Sequence, residues 1–286
     1  MTVLVVGDVA TDVVAVLSGE AAPGSDRPAS IRTRGGGAGA NVAARLAALG
    51  VDVLLAGCVG DDAAGRGLTD ELAAMGVRTA LRTVAGAATG TIVSLVEPGG
   101  QRSMLADRGA NLALLPEDVP APLPGGHLHL SGYTLFGPRD AGLAALVAAA
   151  EAGCTISVDP ASTAPLAGYG IERWLADTAA ATVLLPNADE ARLLTGCADP
   201  ADAARALALR YPVVAVSLGA GGALWAAGGA VLHRPAHPAT VVDTTGAGDA
   251  FAAGLLAAWL AGAEPTVALD AGLALAAAVV GRPGAR

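Results

Sequence analysis

From residue 127 onward, short β-branched or Leu-rich runs alternate with longer Ala-rich stretches, and this rhythm restricts the fold more than any other feature. Strands are expected at 127–131, 154–158, 182–185 and 213–218, and helices at 138–152, near 171–177, 187–195, 199–209 and 266–280. Short apolar strands separated by helices imply a mainly parallel sheet covered on both faces, since only that arrangement buries both sides of every strand. The first half repeats the pattern in Val3–Val6, a helix running to Leu49, a strand at Val53–Ala56 and a helix over 63–75 stopped by Gly76. Two segments break step. Residues 13–34 lose helical periodicity, and 79–107 alternate with period two around the turn signal Glu97-Pro-Gly-Gly100. Together they predict a small sheet inserted from about 13–34 and 79–107 into one domain spanning 1–286, with a further hairpin at 223–226 and 230–233.

The stretch Asp243-Thr-Thr-Gly-Ala-Gly-Asp-Ala-Phe251 joins an apolar approach, Thr240 to Val242, to a helical run from Ala250 to Leu260. Gly246 and Gly248 permit a tight turn, and the first amides of the helix have no partners inside it. Those amides and the positive end of the helix dipole suit an anion. Asp249 sits in the same turn. An anion site beside a carboxylate is what phosphoryl transfer to a hydroxyl needs: amides hold the developing charge and the carboxylate accepts the proton. Taken alone, the stretch also fits a capped helix in which Asp249 only complements the dipole.

Composition narrows the chemistry. All 17 basic residues are Arg. A chain without Lys cannot carry a Walker A loop, a protein-kinase lysine or a pyridoxal-phosphate Schiff base. A net charge of −9 argues against nucleic acid or an anionic membrane as main partner. The cysteines Cys58, Cys154 and Cys197 are far apart and in no metal spacing, which fits reduced thiols in a cytoplasmic protein. The N-terminus has no leader-like pattern, and the run 250–263 is too short to span a bilayer.

As a set, the motifs resemble the ribokinase-like (PfkB) family of carbohydrate and nucleoside kinases. Asp243–Phe251 is similar to that family's C-terminal signature, Gly36-Gly-Ala-Gly-Ala-Asn41 to its N-terminal glycine signature, Pro186-Asn-Ala-Asp-Glu190 to its NxxE element, and Ser217-Leu-Gly-Ala-Gly-Gly222 to its nucleotide-side glycine loop. The resemblance implies a ribokinase-like three-layer α/β/α fold with a small β-sheet lid, and transfer of the γ-phosphoryl of ATP to a hydroxymethyl group of a sugar or, as the alternative, a nucleoside. It implies Asp249 as catalytic base, Gly246, Ala247 and Gly248 as anion hole, and Asp12, Gly36, Gly37, Asn41 and Asn111 around the substrate. Asn187, Glu190, Ser217, Gly219, Gly222 and Thr244 would lie on the nucleotide side, with Glu190 reaching Mg²⁺ through water. Asp243 and Thr245 would offer backbone oxygens to a monovalent cation such as K⁺, and the lid would support a homodimer.

The chain departs from the family at Ala38, where many relatives carry Lys. It departs again at Ser131-Gly132-Tyr133, where ribose-specific members carry a carboxylate, so that Tyr133 is free to stack on a ring. Asn187 and Glu190 also fit a capping pair. His127 and His129 share a strand face without a third ligand and read as core histidines, and Asp8 reads as structural. Two other classes remain open: an oxidoreductase holding NAD at Gly35-x-Gly37-x-x-Ala40, and a non-catalytic sugar-binding protein.

Overall fold

The structure is a computed structural model that describes residues 1–20, 24–97, 102–281 and 284. The chain opens with β1 (Thr2–Val6), β2 (Ala10–Leu17), β3 (Ala29–Gly36), α1 (Ala38–Ala48), β4 (Asp52–Gly60), α2 (Ala63–Ala74), β5 (Arg78–Val84), β6 (Gly90–Val96) and β7 (Arg102–Asp107). It continues through β8 (His127–Ser131), α3 (Ala141–Glu151), β9 (Thr155–Asp159), α4 (Thr163–Tyr169), α5 (Ile171–Asp177), β10 (Val183–Leu184), α6 (Ala188–Thr195) and α7 (Pro200–Leu207). The last elements are β11 (Val213–Ser217), β12 (Ala223–Ala227), β13 (Ala230–Arg234), α8 (Ala247–Leu260) and α9 (Pro265–Val280).

A nine-stranded sheet runs β13-β12-β11-β10-β9-β8-β1-β4-β5. Its pairings are parallel except at the β11–β12–β13 end, where hairpins reverse direction. Parallel neighbours need crossovers, and the helices supply them on both faces. One face buries Leu130, Ile156, Trp174, Leu194, Leu207 and Tyr211 under α3 and α5 to α7. The other buries Val3, Val5, Leu55, Leu72, Phe251 and Leu255 under α1, α2, α8 and α9. With only 3% aromatic residues, the core is filled by close approach of small ones. A Cβ on Gly254 would stand 2.6 Å from the Ala271 carbonyl oxygen, and one on Gly272 would stand 2.8 Å from the Phe251 ring. Those two glycines let α8 and α9 touch along their backbones.

The second sheet has four strands in the order β3-β2-β6-β7, with β2 and β6 parallel and both hairpins antiparallel. Its composition corrects one expectation. Residues 78–84 do not join it: β5 pairs parallel with β4 as the edge of the large sheet, so the second insertion starts at Gly90. Strand β2 begins at Ala10, which puts Asp12 inside the small sheet. The approach from Thr240 to Val242 is not a strand; Val241 and Val242 are exposed and 242 is tied by its amide to the Val280 carbonyl. The turn expected at 97–100 lies mostly outside the described residues. No helix among the described residues is long and apolar enough to cross a membrane.

Candidate active site

Helix α8 starts at Gly246, whose φ of 73° lies in the left-handed region that a side chain disfavours. Behind the turn, the Asp243 carboxylate accepts from the Thr245 amide at 2.9 Å, the Thr245 hydroxyl at 2.7 Å and the Gly284 amide at 2.8 Å. Its side chain therefore braces the loop. In front, a Cβ on Gly248 would meet nothing within 4 Å. The first turn of α8 thus faces open space, a cavity of about 240 Å³ bordered by Gly246, Gly248 and Asp249.

Asn41 and Asp12 approach from the opposite wall of that cavity. Asn41 Nδ2 donates to Asp249 Oδ2 at 2.7 Å, while Asn41 Oδ1 is buried without a protein partner. This meeting needs α1 to begin hard against the loop after β1. A Cβ on Gly37 (φ 92°) would fall 2.4 Å from the Asp8 carbonyl oxygen, and one on Gly39 would fall 2.6 Å from Gly7 Cα. Gly36 leaves room for a carboxylate: a Cβ there would be 2.3 Å from the Asp12 side chain. Asp12 itself is buried opposite Arg34 and Ile92. The glycine stretch follows the lid strand β3, not β1, so it is not the strand-to-helix turn of a dinucleotide fold.

The floor is acidic. Asn187 and Glu190 form a reciprocal cap at the start of α6, with Asn187 N donating to Glu190 Oε2 at 2.8 Å and Glu190 N donating to Asn187 Oδ1 at 2.9 Å. Both also border the cavity, so the capping and the site readings hold together. Burial pushes the Glu190 carboxyl up to about 7. Asp159, at the end of β9, is held well above the usual carboxylate range, first by burial and then by the charges of Glu190 and Asp249. No Arg is among the described residues lining this cavity, and four carboxylates (Asp12, Asp159, Glu190, Asp249) face it. Such a set favours a divalent cation. Among the described residues no three acidic, His or Cys groups converge closely enough to hold a metal directly. That geometry suits Mg²⁺, which keeps several of its waters.

Two further cavities flank the first. Behind the α8 start lies one of about 410 Å³, lined by Gly219, Thr244, Ala247, Pro238, Leu273 and Ala277. Gly219 and Thr244 therefore share this cavity, whereas Ser217 joins the acidic one, where it is bridged to Asn187. Gly222 borders neither. At φ 94°, with a Cβ that would lie 2.0 Å from the Arg234 carbonyl oxygen, it makes the β11–β12 turn.

The third cavity, about 510 Å³, shares Gly37, Ala38, Ile92, Met104 and Tyr133 with the acidic one and adds Leu112, Phe136 and Pro165. Within it Arg108 forms a bidentate pair with Asp8, both bonds 2.8 Å, and its guanidinium lies 5.5 Å from the Tyr133 ring centre. The Asn111 amide is occupied by the Val9 backbone, at 2.9 Å to both N and O, and by the Arg108 carbonyl. Asn111 is thus a brace at the base of the small sheet, and it also borders this third cavity.

Asp159 was not picked out from the sequence. It was legible, because ligands of parallel sheets gather at the carboxyl ends of strands, and Asp159 closes the run expected at 154–158. His127 and His129 are no metal pair: they bond Thr155 and Ser157, and burial lowers them to about 3 and about 4.

The profile described as pfkB family carbohydrate kinase matches residues 2–286. The chain is 36% identical over 273 residues to an ATP-dependent ribose-1-phosphate kinase of Halopiger xanaduensis, covering 92% of this chain and 87% of that one. The aminoimidazole riboside kinase of Salmonella enterica, solved with aminoimidazole riboside and an ATP analogue, superimposes with a TM-score of 0.82 at 30% identity, covering 100% of this chain and 95% of the other. An Escherichia coli structure named as a ribokinase II, in complex with ATP and Mg²⁺, gives 0.88 at 26% identity over 99% and 94% of the two chains.

Proposed function

This chain belongs to the pfkB family of carbohydrate kinases, and on that premise we propose that it transfers the γ-phosphoryl of ATP to a hydroxymethyl group of a sugar held between Asp12, Asn41 and Asp249. The observation that carries this reading is the open first turn of α8: Gly246, Gly248, Asp249 and Asp12 all border one cavity, and among the described residues no atom lies within 4 Å of a Cβ placed on Gly248.

The residues divide the work. The unpartnered Asn41 Oδ1 and the buried Asp12 carboxylate are acceptors suited to sugar hydroxyls. Asn41 also fixes Asp249 through the 2.7 Å bond, and Asp249 would receive the proton of the attacking hydroxyl. The Gly246–Gly248 amides hold the charge on the transferred group. Adenine would occupy the apolar cavity beside Gly219 and Ala247, so that the α8 start lies between base and sugar. Mg²⁺, when bound, neutralises phosphate charge; Glu190, with Asp159 and Asn187, would hold it through water. A monovalent cation such as K⁺ is assigned to the backbone oxygens of Asp243 and Thr245 in the braced loop. The small sheet would close over the sugar and limit ATP hydrolysis. Its exposed Ile31 and Leu105 would form the contact of a homodimer.

A nucleoside is the second reading, favoured by the third cavity. A free pentose would fill the acidic cavity and leave the adjoining aromatic one empty, whereas a base would stack near Tyr133 and Phe136. The Salmonella relative's riboside is in keeping with this. The test is ADP release with ATP and Mg²⁺ across pentoses, ketohexoses, keto-deoxy acids, sugar phosphates and nucleosides. At least one acceptor should turn over. NAD(H) binding without an ATP effect, or sugar-dependent thermal stabilisation without ADP release, would overturn the proposal.

A further inference from the structure

The acidic cavity contains an imidazole that the proposed chemistry leaves unused. His129 lines it from β8, alongside Asn41 and Asp249. Beneath, a continuous chain of side-chain hydrogen bonds runs into the sheet. His129 Nδ1 bonds Ser157 Oγ at 2.9 Å, Ser157 Oγ bonds His127 Nε2 at 2.8 Å, and His127 Nδ1 bonds Thr155 Oγ1 at 2.8 Å. His127 is further fixed edge-on to Trp259 at 5.9 Å between ring centres. Ser157 is fully buried, and both imidazoles nearly so.

Ser157 has a single hydroxyl proton and two imidazole partners, so it donates to one and accepts from the other. With both rings neutral, as their burial demands, only two directions are consistent along the whole chain. Either every donor points toward the cavity, ending in His129 Nε2–H, or every donor points away and His129 ends in a bare lone pair. Asp12 and Asp249 border the same cavity, and their negative potential disfavours a lone pair facing them. The first direction wins: Thr155 donates to His127, His127 to Ser157, and Ser157 to His129.

We infer that His129 is a substrate-positioning residue, presenting a neutral Nε2–H, aimed by the Ser157–His127–Thr155 chain, to an oxygen of the bound acceptor at the floor of the cavity. The inference rests on the kinase reading and adds a donor to a pocket whose other named substrate contacts, Asp12, Asn41 Oδ1 and Asp249, all accept. Acceptors alone fit any polyol. A donor fixed at one point also demands an oxygen there, and so contributes to choosing among sugars.

The test uses the acceptor that turns over best, varied at saturating ATP and Mg²⁺, with His129→Leu, His129→Gln and Ser157→Ala. A neutral hydrogen bond is worth about a two- to tenfold change in affinity. His129→Leu should raise KM for the acceptor about tenfold, leaving KM for ATP unchanged and the thermal midpoint close to the parent's. His129→Gln, whose amide can place a donor near the position of Nε2, should recover most of that loss. Ser157→Ala, which removes the aim but not the donor, should fall between. An unchanged acceptor KM in His129→Leu, a parallel rise in KM for ATP, or a Gln variant as impaired as Leu at equal thermal midpoint would each overturn the inference. If Asp249→Asn abolishes turnover while His129→Leu is silent, only this inference fails. If the parent turns over no acceptor, the kinase reading fails and this falls with it.

Discussion

Replacing Asp249 by Asn removes proton acceptance while keeping the side chain's shape. In the parent, one carboxylate oxygen accepts from Asn41 Nδ2 at 2.7 Å. An Asn side chain of the same shape can keep that bond through its carbonyl oxygen, which turns its NH₂ toward the cavity. The group facing the attacking hydroxyl then donates instead of accepting. Positioned general bases contribute about 10²- to 10⁴-fold, or roughly 3–5 kcal/mol of barrier. The fold loses much less. A carboxylate in the first turn of a helix contributes about 0.3–1 kcal/mol, and its loss also relieves the repulsion that helps raise Asp159. We therefore expect kcat/KM in the ADP-release assay to fall about 100- to 10,000-fold, with a thermal midpoint within a few degrees of the parent. Asp249→Ala should be equally inactive but less stable, because it strands Asn41 Nδ2 without its acceptor, a cost of about 1–3 kcal/mol. Turnover in Asp249→Asn within tenfold of the parent would refute the reasoning and place the base elsewhere.

Other expectations follow from the same geometry. Gly39→Ala and Gly248→Ala should separate fold from function. The first drives a Cβ to 2.6 Å from Gly7 Cα and should cost about 1–3 kcal/mol in urea denaturation. The second adds a Cβ in empty space at the start of α8 and should leave stability equal or higher while lowering kcat/KM. His127 and His129 are lowered to about 3 and about 4. The native state therefore binds fewer protons than the unfolded chain below the ordinary histidine value, and their contribution is lost as pH falls from about 6.5 toward 4. Over that window His127→Phe should lose less stability than the parent in paired denaturation curves. Glu190, raised to about 7, works in the opposite sense: its burial costs stability as pH rises through that value, and Glu190→Gln should flatten the fall. Burial lifts the Cys58 thiol to about 11, so a thiol-specific chromogen at pH 8 should label Cys154 and Cys197 in the native protein and reach Cys58 only on denaturation.

Most of the architecture could be read from local pattern. The run at 127–131 is β8 residue for residue, and the helices expected near 171–177 and 187–195 are α5 and α6, within a residue. Periodicity and caps act over a few residues, and those signals were strong. The errors share a cause. Arg78–Val84 has the composition of a lid strand, yet it pairs with β4, because strand partnership is decided by distant hydrogen-bonding edges and not by the strand itself. Thr240–Val242 has β-branched composition, but it pairs with no strand of either sheet; Val242 donates instead to the Val280 carbonyl and the segment stays exposed.

For the site, residue identity at the motifs was sufficient to nominate Asp249, Asn41, Asp12 and Glu190, since glycine turns and helix starts announce an anion site from sequence. Which of the nominees share a space was not legible. Asn41 and Asp249 are 208 residues apart and joined by one hydrogen bond. Asn111, equally well nominated, spends its amide on the backbone of Val9 and Arg108, and Asp159 enters the acidic floor from a strand that carries no motif. A parallel α/β body and a glycine turn opening one helix could be read along the chain, because both arise from sequential neighbours. Which carboxylates are buried together, and which polar groups are already satisfied, emerges only once the chain is folded. Burial and charge coupling are set by whatever packs across the cavity, and in this fold those groups come from separate crossovers of the sheet.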